Sequence, residues 1–421
     1  MRKVICYSRS SVPNHFDRDV DYFELFSRPE VYLDNVNPLA PELPKKLRGY
    51  RIIPPVAAID FAAFALSVVA ADKLIPRADS PDGWTRMIDL TVFQCEPEKW
   101  VSIKAKIEKM LKFLTGDFWT LTFQAANSPA IEFRYEPHNR ENDCVCLLSG
   151  GMDSLVGAID LLAEERNPLF VSQIIQGDKE KQRYFAYRLG ENNHCQWSIG
   201  KPIGPENSTR ARSIAFFAYA LLAASSRPGS DGLVELVVPE NGFISLNVPL
   251  DANRIGSLST KTTHPIYMSL LQDIWEAIGI KTKITLPYRY DTKGEVLKKC
   301  KDRKLMEELI FSTNSCGKYR RHGYTQCGVC VPCLVRRAAF LEAGLQDATE
   351  KGYLYDDISK SNSMDLNAVA LAVKQVENSG INNFIKGSLS FASPEERGSY
   401  LGVVSRGIDE LRNLLKAYNI L

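Results

Sequence analysis

Between residues 144 and 286, short apolar runs of strand length alternate with stretches of helical length, and this alternation most limits the folds open to the chain. Strands are expected over 144–148, 169–175, 194–198, 233–238 and 282–286, with helices over 154–165, 179–189, 211–224 and 265–278. When helices separate successive strands, each crossover returns the chain to the same end of the sheet, so the strands run parallel. The expectation is an α/β fold, a parallel sheet with helices on both faces.

Residues 1–140 read as an accessory α+β domain. It has strands over 4–7, 87–93 and 118–123, helices over 56–74 and 100–114, and a proline-studded loop over 35–55. On the 100–114 helix, Ile103, Ile107, Met110, Leu111 and Leu114 share one face, and Lys104, Lys106, Lys109 and Lys112 lie away from it. A solvated helix face is the plainer account of those lysines; an acidic partner is the other. A polar linker over 135–143 precedes the sheet. Helices over 365–376 and 393–418, joined by a Gly/Asn/Ser-rich loop, form a C-terminal extension that reads as a cap or an interaction element. The expected domains are 1–140, 141–350 and 351–421.

Lysine plus arginine number 52 and aspartate plus glutamate 50. No global basic field therefore argues for nucleic acid or an anionic membrane, and any anion site must be local. The longest apolar stretch, 56–71, is interrupted by Asp60 and falls short of the roughly 18 to 20 residues that cross a bilayer. It is expected to be a core helix, and a start without a long apolar block suggests a cytoplasmic location.

The first strand of the sheet runs into Ser149-Gly150-Gly151-Met152-Asp153-Ser154 at the start of a helix. Glycines let the backbone fold tightly and approach a ligand, and the helix presents unpaired amides at its positive end, so this turn is suited to a phosphate or pyrophosphate. Ser149 and Ser154 can add hydroxyl donors, and Asp153 can cap the helix or organise a hydrated Mg²⁺. The segment has neither the lysine of a Walker A loop nor the GxGxxG of dinucleotide folds. The alternative is a tight turn with an N-cap and no ligand, but its place at the carboxyl end of a parallel strand favours a nucleotide.

Of the ten cysteines, Cys316, Cys327, Cys330 and Cys333 crowd into one segment. Four thiolates with two-residue spacers suit a closed, structural tetrahedral Zn²⁺ site. An iron–sulfur cluster competes, but the Cys-Pro continuation of the ferredoxin pattern is missing, and free thiols or disulfides are the third reading. Cys6, Cys95, Cys144, Cys146, Cys195 and Cys300 show no ligand spacing and read as core thiols.

The Ser-Gly-Gly-Met-Asp-Ser run resembles the SGGxDS signature of PP-loop pyrophosphatases, which cleave ATP between the α and β phosphates and adenylate a substrate. Together with Ser315-Cys316 and Cys327-Gly328-x-Cys330-x-x-Cys333-x-x-Arg336, it resembles the 7-cyano-7-deazaguanine synthases (QueC) over about residues 141–340. That resemblance implies a structural zinc, and ATP activation of 7-carboxy-7-deazaguanine for attack by ammonia. Lys293-Gly294-Glu295-Val296 is similar to that family's lysine segment near the nucleotide phosphates. About 140 residues precede the SGGxDS loop, where the synthases have almost none. Asn207-Ser208-Thr209-Arg210-Ala211-Arg212-Ser213 stands where they carry Pro-Ala-Arg-Asn, and their Asp-Cys-Arg substrate segment is not found. With Pro239-Glu240-Asn241-Gly242-Phe243 and Ser257 to Pro265, the arrangement looks most like the QueC-like enzymes of bacterial antiviral islands, the QatC type.

The resemblance implies roles for individual residues. Ser149, Gly150, Gly151, Met152, Asp153, Ser154 and Lys293 are expected to bind ATP, with Asp153, Lys293 and Arg210 catalytic. Arg210 and Arg212 can hold an α-phosphate or the substrate carboxylate through bidentate bonds, or be ordinary surface arginines. Glu240 can bond a purine-like base edge, with Asn241 and Gly242 beside it, or the three can form a plain turn. His264 reads as a proton shuttle or a structural residue; Thr260, Lys261, Thr262 and Thr263 are alternative phosphate contacts. Lys293 offers a fixed cation beside departing pyrophosphate.

The expected activity is ATP-dependent ligation in an antiviral defence system. A carboxylate on a deazapurine-like molecule is adenylated and attacked by ammonia or by an amine, such as the N-terminus, of a protein partner from the same operon. The cofactors are ATP, Mg²⁺ and structural Zn²⁺. The alternatives are a tRNA- or nucleoside-modifying PP-loop enzyme, for which Cys195 is the candidate thiol, and a nucleotide-sensing scaffold without turnover.

Overall fold

The computed structural model describes residues 2–30, 33–138, 141–175, 177–190, 193–200, 203–225, 233–250, 261–385 and 387–421. Its first half comprises β1 (Arg2–Ser8), β2 (Val20–Leu25), β3 (Val36–Leu39), α1 (Leu43–Tyr50), α2 (Val56–Leu74), β4 (Met87–Gln94), α3 (Pro97–Ser102), α4 (Lys104–Thr115) and β5 (Phe118–Ala125). All its strand pairs are parallel, in the order β3-β2-β1-β4-β5. This corrects the expected α+β arrangement: the front unit is itself a parallel α/β sheet. The stretch 35–55, read as loop, contains β3 and α1. A four-residue strand containing Pro38 carries little periodic signal, and it is tolerated because β3 is an edge strand.

The second half comprises β6 (Cys144–Leu147), α5 (Met152–Ala163), β7 (Pro168–Gln173), α6 (Lys179–Gly190), β8 (His194–Trp197), α7 (Arg212–Ala224), β9 (Val234–Val237), α8 (Gly242–Ser245), α9 (Pro265–Ala277) and β10 (Thr282–Thr285). As the alternation implied, this sheet is parallel, in the order β10-β9-β6-β7-β8. The two sheets thus share one topology: in each, the first three strands extend one way and the last two the other. Helices α2 and α7 both join third strand to fourth, and α4 and α9 both join fourth to fifth. These counterparts pack on each other, α2 on α7 and α4 on α9, and one hydrophobic core runs through both halves. Apolar on nearly all sides, α2 is buried between the sheets.

A buried charge network ties the halves together. Arg86 is 1% exposed and bonds Asp72 and Asp117; Arg77 also bonds Asp117. The other oxygen of Asp72 accepts the Arg210 and Ala211 amides at 2.7 and 2.8 Å, so the first half caps the start of α7.

The chain continues through α10 (Lys293–Lys298), α11 (Arg303–Leu309), α12 (Val331–Glu342), α13 (Met364–Ser379), α14 (Ile381–Phe384) and α15 (Pro394–Ala417). Val369, Val373, Val403 and Leu411 of the tail share a core with Cys316, Cys327, Cys330 and Cys333, so the tail is built onto the cysteine segment.

All four sheet edges are blunted by the chain's own side chains. Glu108 of α4 accepts the outward Leu121 amide of β5 at 2.9 Å. Gln272 of α9 bonds both Thr282 O and the Ile284 amide of β10. The Tyr50 hydroxyl bonds the Gln196 amide and carbonyl of β8. On β3, where Asn35 and Leu39 carbonyls face β2, the outward position falls to Pro38, which has no amide hydrogen. Among the described residues no helix is long and apolar enough to cross a membrane.

Candidate anion cavity and metal centre

In the second sheet the strand order reverses between β6 and β9, and the crevice at their carboxyl ends is where open α/β sheets place ligands. The turn after β6 supplies Ser149, Gly151, Met152, Asp153 and Ser154, and the turn after β9 supplies Pro239 and Glu240. With Ile244, Asn247, Lys293, Asn314, Ser315 and Pro332 they line a cavity of about 290 Å³.

The turn is held from within. Gly150 has φ +92°, a left-handed conformation that favours glycine. The Ser149 and Ser154 hydroxyls lie 3.0 Å apart; Ser154 Oγ donates to Gly151 O and accepts the Ser149 amide. Gln182 of α6 donates to Ser149 O at 3.1 Å, and the Asn314 amide donates to Gly150 O at 3.2 Å. With the carbonyls tied back, the amides of Met152, Asp153 and Ser154 lie in the first turn of α5, where no intrahelical acceptor exists. Helix and turn together form an anion-receptive end.

Asp153 is 4% exposed. One oxygen, Oδ2, accepts Lys293 Nζ at 2.7 Å and Asn241 Nδ2 at 2.7 Å, so three separate segments converge on it. The other, Oδ1, is buried without a hydrogen-bond partner. Burial works against its charge, yet the Lys293 ammonium and the donated hydrogen bonds hold the Asp153 carboxyl below the ordinary range. Burial, and then the Asp153 charge, push the neighbouring Glu240 carboxyl well up. In the cavity, then, the Asp153 carboxylate is paired with Lys293 beside a carboxyl whose proton is held more tightly than usual. That balance leaves the helix end free to attract an anion. An ammonium has three donors, so the bond to Asp153 leaves two for a ligand, and Asp153 Oδ1 is placed to accept from a cation's hydration shell.

Cys316, Cys327, Cys330 and Cys333 are all buried, with every pair of sulfurs within 4.8 Å. Two of the separations, Cys327–Cys333 and Cys316–Cys330, are 3.9 Å, close to the edge of about 3.8 Å of a tetrahedron with 2.3 Å metal–sulfur bonds. Backbone amides of Lys318 and Cys327 point at Cys316 Sγ, and that of Cys330 at Cys327 Sγ. Such donors stabilise thiolate charge, so the set can hold a metal such as zinc. Cys316 lies two residues beyond Asn314, and its amide bonds Asn314 Oδ1 at 3.1 Å. The cysteine knuckle therefore fixes the residue that ties back Gly150.

Glu240 and Lys293 join the Ser149–Ser154 turn at the cavity, but other expected ligands do not. Arg210 is corrected: its guanidinium lies 4.8 Å from the Trp84 ring, on the side of the first half. Burial, and then Arg77, lower its pKa to about 10. The reason is Asp72, which captures the Arg210 amide and turns this approach to α7 toward the first half. Arg212 lines an adjoining cavity of about 690 Å³ that shares Asn314 with the first. Gly242 is packed tightly: a Cβ there would lie 2.2 Å from Arg289 O, so its smallness serves packing. Asn241 is fully buried and positions Asp153.

His264 caps α9 by accepting the Ile266 amide, and its ring lies about 5 Å from both Phe113 and Phe391. Burial, and then Lys261, lower its pKa to about 4. Lys261 lies over the Phe113 ring at 4.3 Å, and Thr260 falls outside the described residues. Sequence reading missed Asn314 and Gln182; the only pointer to Asn314 was its position just before Cys316. Compared with protein-family models, with curated proteins and with solved structures, the chain matches none.

Proposed function

We propose that the chain is an ATP-dependent ligase of the PP-loop type that adenylates a carboxylate and passes the acyl group to an amine. The observation that carries this reading is the meeting of Asp153 and Lys293, 140 residues apart in sequence, at 2.7 Å beside the glycine turn and at the reversal of the sheet. A turn serving only to cap α5 has no need of a lysine brought from beyond β10.

On this reading the Met152–Ser154 amides and the two serine hydroxyls hold the β and γ phosphates, and the adjoining cavity containing Arg212 receives the nucleoside. A substrate carboxylate oxygen attacks the α phosphorus, the α–β bridging bond breaks and pyrophosphate leaves, its growing charge met by Lys293. An amine then attacks the acyl carbon, AMP departs, and the amine proton passes to solvent. Mg²⁺, held through Asp153, would neutralise phosphate charge. The cysteine set is read as a structural zinc site that fixes the Asn314 wall. A deazapurine carboxylate such as 7-carboxy-7-deazaguanine is the substrate class the sequence resemblance supports, with ammonia or a protein partner's amine as acceptor in a bacterial defence setting.

The test is incubation with labelled ATP, Mg²⁺, 7-carboxy-7-deazaguanine and an ammonium salt or a co-expressed partner. Stoichiometric AMP and pyrophosphate, with an amide product or a discrete mass gain on the partner, are expected. ATP bound without release of either product would instead identify a nucleotide sensor.

A further inference from the structure

We propose that α15, the C-terminal helix, is a working part of this centre: its Arg406 and Glu410 clamp the first turn of α10 and so set where Lys293 stands on Asp153. The inference rests on the reading of Lys293 as a pyrophosphate ligand.

Lys293 opens α10, and Thr292 is the N-cap. A reciprocal capping box forms there, the Thr292 hydroxyl accepting the Glu295 amide and the Glu295 carboxylate accepting the Thr292 amide. Both residues of this box are gripped by α15. Arg406 bonds Glu295 Oε1 at 2.8 Å and Tyr290 O at 2.8 Å. Glu410, one helical turn on and 5% exposed, accepts the Thr292 hydroxyl hydrogen and faces the Gly294 amide. A Cβ on Gly294 would lie 2.6 Å from Glu410 Oε1, so the Glu410 carboxylate lies against the α10 backbone as closely as a glycine allows. With Arg406 and Glu410 four residues apart, they meet the box from a single helix face.

The same helix supports the second ligand of Asp153. Gly407, between the two clamp residues, lies against the Phe243 ring, where a Cβ would come within 2.2 Å of Cδ2. Phe243 belongs to α8, whose N-cap is Asn241. Thus α15 touches the bases of both donors, Lys293 and Asn241, that meet on Asp153 Oδ2. Arg406 and Glu410 are positioning residues: neither lines the cavity.

The experiment uses the full chain and two readouts that need no turnover. Lysine acylation by a small amine-reactive reagent, followed by peptide mass spectrometry, measures how firmly Lys293 is held, with the exposed Lys298 and Lys301 as internal references. Calorimetry measures the affinity for inorganic pyrophosphate. Glu410→Ala is expected to raise Lys293 labelling and weaken pyrophosphate binding by about tenfold each, the scale of one charge-assisted hydrogen bond. Glu410→Gln, whose carbonyl oxygen still accepts from Thr292, should restore most of both. If Glu410→Ala does not fold, Arg406→Met, which removes the bonds to Glu295 and Tyr290 O from the same helix face and leaves the capping box itself intact, is read in the same way. A folded Glu410→Ala or Arg406→Met protein with wild-type labelling and affinity overturns the clamp. Absence of AMP release by the wild type would sink the ligase reading while leaving the labelling comparison intact; turnover with unchanged labelling in the variants would sink the clamp alone.

Discussion

At Gly150 the φ of +92° admits other residues only with strain. Gly151 has φ −86°, and a Cβ built on it would meet Ser149 Oγ at 3.5 Å and Asn314 O at 3.7 Å, ordinary contacts. The backbone therefore does not require glycine at 151, and a methyl group there would project into space the proposed phosphates need. Gly151→Ala should melt within about 1 kcal/mol of the wild type, since it strains nothing, yet lose at least about tenfold in pyrophosphate affinity. Thermal melts and titration calorimetry check both halves of this, and an unaltered affinity would count against the cavity as an anion site. At this scale the sequence was most informative where a residue sits at a strand-to-helix junction, as Ser149 to Ser154 and Lys293 do. It misled at Arg210, whose surroundings are set by Asp72, 138 residues earlier. It was silent on Asn314, whose part is played by a backbone amide that any residue type could supply.

Among elements, the cysteine knuckle has the widest reach. It shares a core with α13 and α15 and fixes the Asn314 wall of the cavity. Cys330→Ser, or a chelator applied to the loaded wild type, should release the metal and remove several kcal/mol from this part of the molecule. Hydrogen exchange should then rise through residues 314–333, α13 and α15 while β6, β7 and β9 stay protected; exchange that rises equally in all of them would mean the site is not a local staple. The cysteine spacing made this element readable in advance. Helices α10, α11 and α12 were not foreseen, because their cores are completed by the tail and by α5 rather than by a long amphipathic stripe of their own.

For the whole molecule, the recurrence of one strand order in both halves escapes the sequence because, among the described residues, the first half has no α-helix between β1 and β2 or between β2 and β3. Without those helices the strand–helix alternation that exposed the second sheet is missing. Asp72 is the hinge of their union, serving Arg86 in one half and two α7 amides in the other. Asp72→Ala takes one of its two carboxylates from buried Arg86, which keeps Asp117, and leaves the Arg210 and Ala211 amides without their acceptor; it should cost about 3–5 kcal/mol in urea unfolding. A loss below about 1 kcal/mol would show that hydrocarbon packing of α2 on α7 suffices. The outer strands carry a last consequence. Glu108, Gln272 and Tyr50 each engage one or two outward backbone groups of β5, β10 and β8, and Pro38 offers no outward amide hydrogen. Each edge thus presents an interrupted row of backbone groups, a poorer template for fibre-like stacking of copies than an open strand.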